Sequence, residues 1–147
     1  MIFDFLSQMK DRKTFDESLD ISPYLKMMDF RLKRQNEILI TVMKFHSDLM
    51  GTPVPPALHG GTVASILEIS ATMQLIWDMD MAKDVFIIPK TIDITVDYLR
   101  RGKPEDTFAQ ARVFRRGRRF ATLHVKAWQS NAKKPISTAV LHFQLVD

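Results

Sequence analysis

The sequence predicts an α+β domain, and three observations carry that prediction. A run from Thr62 to Trp77 is apolar on almost every side of a helix, and such a helix must be wrapped rather than laid on a surface. The chain that follows alternates apolar and polar residues in segments separated by turns, the pattern of antiparallel strands. The length, 147 residues with 46% hydrophobic and 26% charged, suits one domain spanning 1–147 with a substantial core, neither disordered nor fibrous.

The elements follow in order. Ile2, Phe3, Phe5, Leu6 and Met9 have loosely helical spacing, and Ser22-Pro23 reads as a capping residue followed by proline at the first position of a second short helix. Residues 1–26 are therefore expected to be a helical segment. Segments 30–35 and 37–45 read as strands around a turn at Gln35-Asn36, the second carrying Ile38, Ile40 and Val42 on one face. Residues 46–58 contain Gly51, Pro53, Pro55 and Pro56; prolines this dense exclude helix and central strand, leaving loop or extended chain. The pattern turns helical at His59-Gly60-Gly61 and stays so to about Asp78, with a connector over 80–83. Ile92, Ile94, Val96 and Tyr98 alternate with Asp93, Thr95 and Asp97, a half-exposed strand. Segments 107–114, 119–129 and 136–146 complete a four-stranded antiparallel meander, with turns at 100–106, 115–118 and 130–135.

The long helix is where chemistry is expected. Its run from Thr62 to Trp77 has one ionisable residue, Glu68, and a carboxylate among so many apolar side chains loses hydration unless a partner compensates. A costly group of this kind serves either a site or a structural ion pair. Gly61, Ser65, Glu68 and Thr72 are spaced four, three and four apart, so they share one helical face. At the open end, Gly60 and Gly61 expose backbone N–H groups, and the aligned peptide dipoles favour an oxyanion or a polarised carbonyl there. A carbonyl activator at the helix start and a general base or nucleophile about two turns below it suit acyl transfer to water.

The motif Ala57-Leu58-His59-Gly60-Gly61, followed after six residues by Glu68 and preceded by a proline-containing loop, resembles the hotdog-fold acyl-CoA thioesterases, in the branch that groups PaaI-like and 4-hydroxybenzoyl-CoA thioesterases. The resemblance runs from about residue 25 to the C-terminus. It implies a five- or six-stranded antiparallel sheet around a central helix at about 60–78, in homodimers or homotetramers (dimers of dimers) with the site between subunits. It also implies roles: Glu68 as general base or nucleophile, Gly61 as the N–H that polarises the thioester, His59 as the shaper of that loop, and Thr72 as a hydroxyl holding the water or the acid. One departure concerns Pro53, which stands where many members carry Asn or Gln; either Ser47, Asp48 or a water substitutes, or the activity is weakened or altered.

Charge adds a second feature. Residues 1–73 hold 8 Lys/Arg against 9 Asp/Glu, a net −1, and residues 74–147 hold 13 against 8, a net +5. Much of that excess is arginine: Arg112, Arg115, Arg116, Arg118 and Arg119 around Gly117, and Arg100-Arg101 at another strand end. A solvated hairpin tip, a nucleic-acid contact and a grip on the phosphates of coenzyme A all use such clusters. With no stacking motif among the aromatics, and given the helix motif, coenzyme A is favoured over nucleic acid. The resemblance assigns its binding to Gly60, Tyr98, Arg100, Arg101, Arg116, Gly117, Arg118 and Arg119.

Other chemistries recede. Zero cysteines exclude a disulfide scaffold, a thiol nucleophile and a cysteine metal site. His46, His59, His124 and His142 lack metal-ligand spacing, and there is no serine-hydrolase elbow. Met73 and Trp77 are candidates to line an acyl pocket. With no apolar run long enough for a bilayer and no signal-peptide pattern at the start, a cytoplasmic protein is expected, without membrane or nucleic-acid partners. The expected activity is hydrolysis of an acyl- or aroyl-CoA thioester without metal or redox cofactor. A non-catalytic acyl-CoA-binding or sensing protein, or a hydratase acting on an enoyl-CoA through His59, are the alternatives.

Overall fold

A computed structural model describes residues 2–81 and 88–145. One long helix sits against a large antiparallel sheet. The elements are α1 (Ile2–Met9), β1 (Thr14–Ser18), α2 (Pro23–Met27), β2 (Phe30–Gln35), β3 (Ile38–Met43), a 3₁₀ turn (Ser47–Leu49), β4 (Met50–Pro53), β5 (Pro56–Leu58), α3 (Gly60–Met81), β6 (Lys90–Tyr98), β7 (Thr107–Arg116), β8 (Phe120–Trp128) and β9 (Ser137–Gln144). Helix α3 runs past the expected end near Asp78, and of the anticipated connector only 82–83 lie outside the described residues. Val63, Ile66, Leu67, Ala71, Met73, Leu75 and Ile76 are all buried, on several sides of α3, as a wrapped helix requires.

Among the described residues the sheet has seven strands in the order β1-β2-β3-β7-β8-β9-β6, more than the five or six expected. The additional strand corrects the reading of 1–26 as wholly helical. In β1, Phe15 turns into the core while its neighbours stay wet, and Thr14 to Ser18 pair with Gln35 to Arg31 of β2. A five-residue strand with one apolar anchor leaves too little alternation to read. A second correction concerns the meander. Only β7, β8 and β9 follow one another as neighbours; β6 pairs with β9 at the far edge, so the 100–106 connection crosses back over two strands to reach β7. Asp93 and Asp97 on β6 stay hydrated at an edge.

In β3 the face turned to α3 is Leu39, Thr41 and Met43, not Ile38, Ile40 and Val42. Both faces are apolar, so alternation alone could not choose between them. The proline-dense segment is extended, as expected, and closes as the β4–β5 hairpin.

Two clasps hold the crossing connection. Gln129 accepts from the Lys103 N–H at 3.0 Å and donates to the Lys103 carbonyl at 2.8 Å. Asp106 accepts from Lys44 Nζ and from the Phe45 N–H, both at 2.7 Å, tying the start of β7 to the end of β3. Burial pushes the Asp106 carboxyl up, but the Lys44 hydrogen bond, the Phe45 N–H and the Lys44 charge outweigh it and leave it below the ordinary carboxylate range. A carboxyl depressed on folding stabilises fully above its unfolded value and loses that contribution as pH falls through its folded value. Asp106→Asn is therefore expected to cost about 1 kcal/mol at neutral pH, a fall in Tm of about 2–4 °C. Thermal melts should show the gap closing below about pH 4.

Candidate functional site

The polar stripe predicted on α3 exists, and each of its members has a definite partner. Gly60 opens the helix against Tyr98 of β6, whose hydroxyl donates to the Gly60 carbonyl at 2.8 Å. The Gly61 N–H donates to His59 Nδ1 at 2.9 Å, while the His59 carbonyl accepts from the Thr62 and Val63 N–H groups. His59 thus caps the helix with its own ring, an arrangement that needs a neutral acceptor nitrogen. The N–H expected to polarise a carbonyl is occupied here by that ring.

Lower on the stripe, Ser65 Oγ donates to the Gly61 carbonyl at 2.8 Å and lies 2.7 Å from the Tyr24 hydroxyl of α2. Glu68 Oε1 accepts from Thr91 Oγ1 of β6 at 3.0 Å. Thr72 donates at 2.9 Å to the main-chain carbonyl of Glu68, not to its carboxylate. The hydroxyl that meets the acid therefore comes from a strand, and sequence inspection missed it.

The aim of Thr91 has a structural cause. The register of β6 against β9 shifts between Thr91 and Asp93, a bulge that leaves Ile92 opposite no partner. Thr91 stands opposite the core residue Phe143, and Ile94 opposite the core residue Leu141. Two residues three apart face the same side only because the bulge absorbs one. No periodicity signals this from sequence.

The arginines do not converge within one chain. Tyr98, Arg100, Arg101 and Leu58 border a depression of about 390 Å³ beside Gly60, with Arg100 donating to the Pro135 carbonyl at 2.8 Å. Arg115, Gly117, Arg118 and Arg119 border a separate hollow of about 640 Å³. Arg116 turns inward to Asp78, 3.9 Å away near the other end of α3. Seventeen residues separate Gly61 from Asp78, about 25 Å of helix rise. Arg112 lies on the outer sheet face, its guanidinium 5.8 Å from the Phe114 ring, and His124 stacks on that same ring. Met73 and Trp77 are core residues, Trp77 packing on Phe15 and beneath Arg34. Asp48, one candidate to replace an amide at Pro53, is almost fully exposed.

Gly51 fixes the approach of the β4–β5 hairpin to the helix start. A Cβ there would sit 2.8 Å from the His59 Cα, a backbone collision that no side-chain rotation relieves. Gly51→Ala is expected to cost about 1–3 kcal/mol and to displace the His59 cap. A lowered Tm, with changed amide resonances for residues 59–62 by NMR, would verify it.

Among the described residues no helix is long and apolar enough to cross a membrane, and no three His, Asp or Glu gather to hold a metal ion.

The model of the family described as acyl-CoA thioesterase N-terminal domain matches residues 51–144. No curated protein matches the sequence. Among solved structures, one from Chromobacterium violaceum is 30% identical, covering 98% of each chain with a TM-score of 0.73. A phenylacetic acid degradation-related protein from Ralstonia eutropha is 15% identical over 95% of this chain and 98% of its own, TM-score 0.74. A Bacillus halodurans protein solved with CoA is 14% identical over 99% and 89%, TM-score 0.70. The family model takes in α3, its HGG start, Glu68 and every strand from β6 to β9, and with the sheet-wrapped helix it places this chain in the hotdog-fold acyl-CoA thioesterase family.

Proposed function

We propose that the protein hydrolyses an acyl- or aroyl-coenzyme A thioester. The observation that carries this is Glu68: the single ionisable residue in the run from Thr62 to Trp77 of α3, held at one oxygen by Thr91. With Oε1 held, Oε2 takes a proton from water. The hydroxide adds to the thioester carbon, charge builds on the carbonyl oxygen against a helix start, and the coenzyme thiolate leaves and is protonated. Water is the only co-reactant, and the reaction calls for no metal or redox cofactor.

Two copies complete the site in this reading. Gly61 and Glu68 of one chain are seven residues apart, about 10 Å of helix rise, whereas reacting atoms must lie within about 3–3.5 Å. Strand β6 ends the sheet, with Ile92 half exposed on it. Antiparallel pairing of two β6 edges about a two-fold axis runs the two α3 helices in opposite directions. The helix start of one subunit then approaches the acid of the other, and Arg115, Arg118 and Arg119 of one approach the Tyr98–Arg101 depression of the other. His59 must swing off Gly61 as the carbonyl enters.

Thiol release from a panel of acyl-CoAs tests the proposal; no release from any member refutes it. One observation favours a second reading, a non-catalytic acyl-CoA binder: the Gly61 N–H is already satisfied by His59, and Pro53 offers no side-chain amide. Binding of the same esters without thiol release over long incubation would select it.

A further inference from the structure

We propose that α2 forms the acyl-selecting wall of the site, with Tyr24 and Met27 as its contact residues. The proposal rests on the thioesterase reading and adds to it the part of the chain that chooses the acyl group.

Helix α2 is only five residues long and is set firmly. Ser22 Oγ accepts from the Leu25 N–H at 3.2 Å, Pro23 occupies the first turn, and Leu25 and Met28 are buried. That anchoring fixes which side chains face outward. Tyr24 and Met27, three apart and on the same side, are 47% and 62% exposed. Two large apolar side chains left in solvent on so short an element are not serving the core.

Their placement gives them a use. A serine hydroxyl has one proton, and Ser65 gives it to the Gly61 carbonyl; the 2.7 Å contact is therefore donated by the Tyr24 hydroxyl to Ser65 Oγ. The anchoring of α2 thus sets the Tyr24 ring beside the polar stripe at Ser65, where the hydroxyl contact marks it, three residues and about 4.5 Å of helix rise from Glu68. Thr91 approaches the same stripe from β6, at Glu68. The stripe is thus a floor approached from α2 by a phenol ring and from β6 by the strand that holds the acid. A thioester presented to Glu68 lays its acyl group on this floor, where α2 offers the Tyr24 ring at Ser65, with Met27 three residues on along the same side of α2. The group selected is a hydrophobic or aromatic acyl chain rather than acetyl, each contacting methylene raising the preference about fourfold.

The experiment compares kcat/KM for acetyl-, hexanoyl- and benzoyl-CoA in wild type, Tyr24→Phe, Tyr24→Ala and Met27→Ala. Met27→Ala, at an exposed position, is expected to keep the wild-type Tm. Both alanine variants should lower the hexanoyl-to-acetyl and benzoyl-to-acetyl ratios by about tenfold, while Tyr24→Phe, which keeps the ring and loses only the tether, stays near wild type. Unchanged ratios in Met27→Ala and Tyr24→Ala overturn the proposal. So does a Tyr24→Phe variant as defective as Tyr24→Ala, because the hydroxyl tether would then be the functional part. Should wild type cleave none of the esters, the thioesterase reading fails, and affinities for non-hydrolysable thioether analogues of the same three esters decide the wall. Tighter binding with acyl size that flattens in the alanine variants sustains it; no such dependence in wild type, or no flattening, ends it.

Discussion

Glu68→Gln is expected to lower kcat by about 10²–10⁴-fold, the usual contribution of a positioned general base, with KM and Tm little changed. Glutamine keeps the shape of the side chain and can still accept from Thr91 through its carbonyl oxygen, so the 3.0 Å contact survives and only basicity is lost. Steady-state thiol release and a thermal melt on the same preparation separate the two effects. Wild-type turnover in the variant would remove Glu68 from the chemistry. A collapse of Tm with the loss of activity would make it a structural residue.

Mixing two dead variants is expected to restore activity. Gly61→Val obstructs the helix start, since even a Cβ there lies 3.0 Å from His59 Nδ1, and loss of a polarising donor costs about 10²–10³-fold. When a site draws its helix start from one subunit and its acid from the other, a heterodimer of Gly61→Val and Glu68→Gln carries one intact site and one doubly damaged site. Random association makes half the dimers mixed, so co-expression should recover about a quarter of wild-type activity through the two-fold symmetry of the pair. Sites assembled within single chains would recover nothing. The test bears as well on the two arginine groups, one beside the start of α3 at Gly60 and the other beside Asp78 near its end, because in the proposed reading only an in-trans site brings Arg118 and Arg119 to the ligand that Arg100 and Arg101 border.

The fold was legible where one physical pressure dominated. An apolar run with a single acid could only be a wrapped helix, and Asp93, Thr95 and Asp97 alternating with apolar residues could only be a half-wet strand. Legibility failed where two pressures balanced. Strand β3 is apolar on both faces, so Ile38, Ile40 and Val42 looked as good a core as Leu39, Thr41 and Met43. Strand β6 is followed in sequence by β7 but pairs with β9, because strand order is set by the packing of the whole sheet and not by alternation within one segment.

The candidate site divided in the same way. Glu68, Gly60 and Gly61 stand out from their neighbours by chemistry alone. Thr91 does not: an ordinary strand threonine acquires its place through a bulge 23 residues beyond the acid, and Tyr24 through a five-residue helix between β1 and β2. The arginines were recognisable as two groups at two turns, but not by their separation in space, since a string of residues carries no record of which end of α3 each turn reaches.

The two rims of the sheet differ in a way that governs how copies add together. At one rim β6 is nine residues long and presents Ile92 and Tyr98; at the other, β1 is five residues long and carries Asp16 and Glu17, held to Arg31 and Arg12 at 2.8 and 3.0 Å. Were both rims adhesive, each added copy would leave a fresh rim for the next, and the sheet would grow into an open ribbon. In the proposed pairing at β6, a short, charged strand at the far rim would stop that growth after a single step. The N-terminal strand would then act as a terminator, so that such association ends in a closed pair instead of a fibre.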